Sequence, residues 1–189
     1  MNSVFDQALW AVGRGSGVVA IVLLTLSVLL GIGGRSGRAV FGMPRFAVTL
    51  VHRNVSLFSL LFVVVHVVSL FLDPFAQLRL VDFFIPFLGA FKPFWLGLGT
   101  IAFDLLVVVT ITALLRNRIG PRMFKAVHWL VYAMWPVSVL HAIGNGTNGR
   151  EPWFLVLAVF CVMAVGGAIA WRLHEDFVEY RNVRRQETR

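Results

Sequence analysis

From Gly15 to Gly34 the chain runs without a charged residue and is rich in Val and Leu. An α-helix rises about 1.5 Å per residue, so roughly 20 such residues cross the hydrocarbon layer of a bilayer. Four further stretches have the same character: Asn54 to Leu72, opening near Val48; Lys92 to Leu115, interrupted only by Asp104; Ala126 to Ile143; and Pro152 to Trp171. Asp82 to Phe91 is apolar but short and is broken by Pro86, with Pro93 just after it, which predicts a surface or re-entrant helix. The chain is 58% hydrophobic and 14% charged, against about 45–50% and 25% in soluble domains. One small soluble core cannot hide that excess, and disorder needs low hydrophobicity. Cys161 is the single cysteine, so a disulfide scaffold is excluded. The expected fold is an all-α membrane protein: a bundle of five transmembrane helices plus a short surface helix before the third.

Asp6 stands where a basic n-region would precede the first apolar stretch, so that stretch reads as a retained helix and not a cleaved leader. Basic short loops stay in the cytoplasm. Arg35, Arg38, Arg45 and Arg53 lie between the first two spans, and Arg116, Arg118, Arg122 and Lys125 between the third and fourth. Arg172, Arg181, Arg184, Arg185 and Arg189 follow the last, whereas only Arg14, Arg79, Lys92 and Arg150 fall on the other side. This bias places the N-terminus outside and the C-terminus inside, in a multi-pass protein of the plasma membrane. The net charge of +8 follows from topology and anionic lipid, so the bilayer is the expected partner and nucleic acid is not. Residues 1–172 form one transmembrane domain and residues 173–189 a short cytoplasmic tail.

Ionisable residues inside a membrane are costly and point to function. His52 and His66 lie on the second span, His128 and His141 on the fourth. A lone intramembrane His serves well as an interhelical hydrogen-bond partner, but four of them, paired on two helices of the same direction, fit that role poorly. A spacing of 14 puts His52 and His66 about 21 Å apart on nearly one face, and a spacing of 13 puts His128 and His141 about 20 Å apart. His52 is level with His128 at the cytoplasmic end, and His66 with His141 at the outer end. In an ideal helix, however, the 13 spacing turns His141 about 140° from the face of His128. A kink at Pro136, or fraying of the last turn before Gly144, Gly146 and Gly149, would bring it back.

Closed zinc sites take four ligands, usually including Cys or carboxylate, and none flanks these pairs. Haem iron takes two axial ligands from opposite sides. The Gly, Ala, Val and Phe of the spans suit a flat macrocycle, and the absence of a C-x-x-C-H motif makes the haems b-type. Two haem b groups are expected, as in a cytochrome b; a single haem, or structural histidines, are the other readings.

The spacings, with Gly13-Arg14-Gly15-Ser16-Gly17, Leu50-Val51-His52-Arg53-Asn54-Val55-Ser56-Leu57 and Lys125-Ala126-Val127-His128-Trp129-Leu130-Val131-Tyr132, resemble the ferric reductase-like transmembrane domain. That family includes the NADPH oxidases, the ferric reductases and the haem-binding membrane subunit of the periplasmic methionine-sulfoxide reductase system. The likeness runs from Leu9 to Trp171. It implies an inner haem iron on His52 and His128, an outer one on His66 and His141, and electrons moving outward from the cytoplasm. The 189 residues hold no flavin- and nicotinamide-binding region like that of the full-length oxidases. The resemblance therefore implies a separate donor, a flavin reductase or a quinol. The Gly-Arg-Gly-Ser-Gly run follows no strand and is not a dinucleotide fingerprint.

Haem propionates want basic partners. Arg53 and Lys125 stand within a turn of His52 and His128, where propionate pairing and plain positive-inside anchoring explain them equally. Arg14, on the side where Arg is disfavoured, suits an outer propionate or snorkels to the interface. Asp104 reads as a helix-start carboxylate if the regular helix begins near Thr100; the alternative is a proton acceptor. His174, beside Glu175 and Asp176, reads as solvated. Trp95, Trp153 and Trp171 suit interface anchors, while Trp129 and Trp135 border the histidines. Asn145-Gly146-Thr147 matches a glycosylation acceptor by chance, and Cys161 packs as a small apolar residue.

The function expected is transmembrane electron transfer, from a cytoplasmic flavoprotein or quinol to an outer acceptor protein, ferric iron or oxygen. The rival readings are a self-contained ferric or oxygen reductase at the outer haem, and a non-redox scaffold or transporter with structural histidines.

Overall fold

The computed structural model describes residues 4–36, 42–175 and 177. It is helical, with no strand among the described residues: α1 (Val4–Gly33), α2 (Arg45–Leu72), a 3-10 turn (Leu80–Phe83), α3 (Pro93–Leu114), α4 (Arg116–His128), α5 (Val131–Asn145) and α6 (Pro152–Leu173). α1, α2, α3 and α6 are each long and apolar enough to cross a membrane, and the bent pair α4–α5 adds a fifth span if counted as one. Most of the tail, including Arg181, Arg184, Arg185 and Arg189, lies outside the described residues, as does Arg38.

Local chemistry sets the helix starts. Pro93 opens α3 at the first helical position after Lys92 in the left-handed conformation, φ 42°. Pro152 likewise opens α6 after the extended Glu151. Proline fits there because the N–H it lacks would be unpaired anyway. α1 packs against α2, α5 and α6, and α3 packs against α5. Ile21, Leu24, Val28 and Ile32 of α1 meet Leu106, Met134, Trp135, Val139, Cys161 and Val165 in the core. Within it Trp135 Nε1 donates to Thr25 Oγ1 at 3.0 Å. The outer face of α6, with Val156 and Phe160 each 70% exposed, suits lipid contact.

Four expectations change. α1 runs from Val4 and so extends beyond the Gly15–Gly34 span; residues 4–14 include Asp6 and Arg14, which a hydropathy reading leaves out. Asp82 to Phe91 is not a helix: beyond the 3-10 turn the backbone is irregular. Phe87 (φ 71°) and Lys92 (φ 42°) are left-handed, and Pro86 donates no hydrogen bond. Thr100 does not start a helix either, since α3 has begun at Pro93; its hydroxyl donates to Asp82 O at 2.7 Å. Asp104 thus lies inside α3, away from the helix start.

The fourth change concerns the bend. The fourth span is broken by 47° between α4 and α5, at Trp129 and Leu130. Pro136 sits within α5. Leu130 N–H donates to Val127 O, Tyr132 N–H to Trp129 O and Ala133 N–H to Leu130 O, at 3.0–3.1 Å. These three-residue bonds are those of a 3-10 turn, which rotates about 20° more per residue than an α-helix. α4 also contains Gly120 at φ 79°, ψ 161° before Pro121, a conformation that glycine adopts without steric cost.

Candidate functional site

Four half-buried histidines meet in two pairs. The ring centroids of His52 and His128 are 6.2 Å apart with planes at 83°, and those of His66 and His141 are 6.5 Å apart, also at 83°. The pairing expected from helix level is therefore present, and His141 faces His66. The extra rotation at Trp129–Leu130 supplies part of the missing phase, the 47° bend there re-aims α5, and α5 continues four residues beyond His141 to Asn145, so no fraying is involved.

Three of the four rings are oriented by a backbone carbonyl of another helix. His66 Nδ1 donates to Gly13 O at 2.6 Å, His52 Nδ1 to Ser27 O at 2.9 Å and His141 Nδ1 to Trp95 O at 2.8 Å. A carbonyl only accepts, so Nδ1 carries the proton and Nε2 keeps its lone pair for a metal. Each acceptor is followed four residues later by glycine: Gly17, Gly31 and Gly99. A Cβ would stand 2.9 Å from His66 Nδ1 at Gly17, 3.3 Å from His52 Cε1 at Gly31 and 2.5 Å from His141 Cε1 at Gly99. In a helix the residue at i+4 covers the carbonyl of residue i, so each glycine opens the notch through which imidazole reaches that carbonyl. His128 Nδ1, in contrast, is buried without a hydrogen-bond partner.

The pairs fit a haem. Two metal–imidazole bonds of about 2 Å each, plus the near half of each ring, span about 6 Å between centroids, and no hydrogen bond joins the paired rings. α2 packs on α1, and α5 on α3 and α1, with no comparable contact between α2 and α5, so the histidines look across a gap. A cavity of about 430 Å³ surrounds the His66–His141 pair, within the range of cofactor-sized sites. Its lining includes Arg14, Phe103, Asn145 and Asn148. Asn145 and Asn148 each have a buried side-chain oxygen without a partner, and an amide turned over would present its N–H groups there. Among the described residues no three His, Cys, Asp or Glu side chains gather to hold a metal ion directly.

Arg14 is half-buried on α1, stacked over Trp10 at 4.4 Å. Arg53 and Lys125 are exposed, and no hydrogen bond or ion pair among the described residues holds either. Trp135 belongs to the core, and Trp129 lies beneath the Arg172 guanidinium at 4.8 Å. The loop from Asp73 to Phe91 closes one end of the cavity. There Asp82 accepts from Arg79 Nη2 at 3.0 Å and from Arg79 N–H at 2.9 Å, and Arg79 also donates to Leu88 O. The Arg79 guanidinium holds the Asp82 carboxyl below the ordinary carboxylate range, against the opposing effect of burial.

The glycine notches, the Ser27 and Trp95 carbonyls, Asn145 and Asn148 escape a reading of single residues. The recurring signal is a glycine four residues after the acceptor, at 13/17, 27/31 and 95/99.

Comparison with curated proteins and with solved structures gives no match. The profile of one family, described as "Ferric reductase like transmembrane component", matches residues 16–139, from within α1 to within α5, and includes His52, His66 and His128 but not His141. With well over half of its length matched, the chain belongs to the ferric reductase-like transmembrane family.

Proposed function

We propose that the chain carries electrons across the membrane on two b-type haems, the inner held by His52 and His128 and the outer by His66 and His141. The observation that carries this reading is the pair of facing imidazoles at two levels, 6.2 and 6.5 Å between centroids. Bound between two imidazoles, each haem would supply a one-electron couple that changes little in shape, as electron transfer requires. The chain's part is to hold Nε2 of each histidine toward the gap, to fix the tautomer through Nδ1 and to exclude water with the apolar core. Arg14, with Asn145 and Asn148, would meet the outer propionates. Arg53 and Lys125 are the corresponding candidates at the inner end, with exposure as their one structural feature.

The charge bias of the loops supports an outer N-terminus and a cytoplasmic tail at residues 173–189; residues 1–172 would be the haem-binding domain, set in the plasma membrane. Electrons would then run from a cytoplasmic flavoprotein or quinol to an outer acceptor protein, ferric iron or oxygen. The cavity around His66 and His141 reaches the Asp73–Phe91 loop. That reach favours, as a second reading, direct reduction of a small acceptor at the outer haem. A vesicle experiment tests transfer itself: haem-loaded protein in the bilayer, ferricyanide trapped inside and dithionite outside. Trapped ferricyanide should be reduced far faster than in protein-free vesicles. Equal rates would overturn the proposal.

A further inference from the structure

Three histidines are tied to a carbonyl and one is not. His52 is held by Ser27 O, and Ser27 Oγ in turn pairs with Ser56 Oγ at 2.7 Å, which places that ring within a network joining α1 and α2. His66 and His141 each have their own carbonyl and glycine notch. The Nδ1 of His128 is buried with no partner. Its ring lies against Phe124, centroids 5.2 Å apart, which offers no hydrogen bond of ordinary strength. His128 is also the last residue of α4, immediately before the Trp129–Leu130 break.

These features act in one direction. A carbonyl on Nδ1 fixes both the tautomer and the ring orientation of a metal-bound histidine, and losing that outer partner typically costs 10- to 100-fold in affinity. Without it, the proton of a neutral imidazole is free to sit on Nε2, where it blocks ligation. A buried N–H with no acceptor is itself unfavourable, so the ring gains by turning toward a partner. His128 ends α4 with no carbonyl to orient its ring.

We infer that His128 is an exchangeable ligand, and that the His52–His128 haem binds a small exogenous ligand on its His128 face while the His66–His141 haem does not. This inference rests on the proposed two-haem reading. With a haem held there, exchange would trade the His128 Nε2–iron bond for one to the incoming ligand, with no change in electron count and no oxidant or reductant consumed.

The probe is carbon monoxide added to the dithionite-reduced, haem-loaded full chain, followed in the visible spectrum. About half of the reduced haem absorbance should shift, and half should stay low-spin. Resistance of both haems, or reaction of both, would overturn the inference while leaving two-haem binding intact. A chain that binds no haem at all would instead overturn the proposed function. A second measurement compares His128→Gly with His52→Gly. The His128 variant should keep both haems, with one accepting free imidazole as a new ligand, whereas the His52 variant should fall to one haem. Equal loss in the two variants would contradict the asymmetry.

Discussion

At the His66–His141 pair both rings donate Nδ1–H to a carbonyl of a neighbouring helix, both lie against a glycine, and a cavity surrounds them. At the His52–His128 pair only His52 is held in that way. Distances within the pairs differ by only 0.3 Å, and the interplanar angles are the same, 83°. Two histidine pairs of nearly one geometry can thus differ in how firmly their rings are oriented, and the backbone around each histidine decides it. His66 and His141 meet carbonyls of α1 and α3, helices that pack tightly on α2 and α5 respectively. His128 sits at a helix end, where no neighbouring carbonyl has been brought within reach.

The largest effect is expected from removing a histidine of the His66–His141 pair. His66→Ala or His141→Ala should each reduce the haem content from two per chain to one, with the surviving haem reactive toward carbon monoxide. Quantitation of haem as the pyridine complex checks this, and retention of both haems would break the distinction between the pairs.

Next come the notches. Gly99→Ala places a Cβ 2.5 Å from His141 Cε1 and 2.6 Å from its Nδ1, so the Trp95 bond should be lost and haem affinity at the outer site should fall about 10- to 100-fold. Gly31→Ala, at 3.3 Å from His52 Cε1, should cost less, because a shift of a few tenths of an ångström relieves it. Haem titration of the apo-protein ranks the two, and a larger loss for Gly31→Ala would contradict the notch account.

The smallest effect is at the loop that lines the cavity around His66 and His141. The Asp82 carboxyl is held low by Arg79, so its contribution is present above the ordinary carboxylate range and is lost as pH falls through the depressed value. Protease cutting within residues 73–92 should stay flat from neutral pH down through the ordinary carboxylate range and rise only in stronger acid. Asp82→Asn should cut faster already at neutral pH. Unchanged cutting in both tests would remove the Arg79–Asp82 pair from the account.

The histidine pairs were legible in the sequence because four ionisable residues in apolar spans, at spacings of 14 and 13, leave few alternatives. The helical phase of His141 was not legible. It depends in part on a 3-10 turn and a 47° bend at Trp129–Leu130 that no proline or glycine marks, whereas Pro136, which did suggest a kink, is absorbed within α5. The early start of α1 escaped a reading based on hydropathy, since Val4 to Arg14 is helical without being uniformly apolar. The glycine notches were hidden for another reason. Which carbonyl a histidine reaches is a matter of register between helices, so Gly17, Gly31 and Gly99 acquire meaning only once α1, α2, α3 and α5 are packed. Asp82 to Phe91 failed as a helix because left-handed Phe87 and Lys92 follow from loop closure, which local propensity does not encode.

The central claim is that the two facing pairs each hold one haem. Its most direct test is the dithionite-reduced minus oxidised spectrum of the protein expressed with ample haem, with haem counted per chain, beside the His52→Ala/His66→Ala double variant. The account predicts two b-type haems with sharp low-spin bands in the wild type and none in the double variant. A haem-free wild type, or a double variant with an unchanged spectrum, would contradict it.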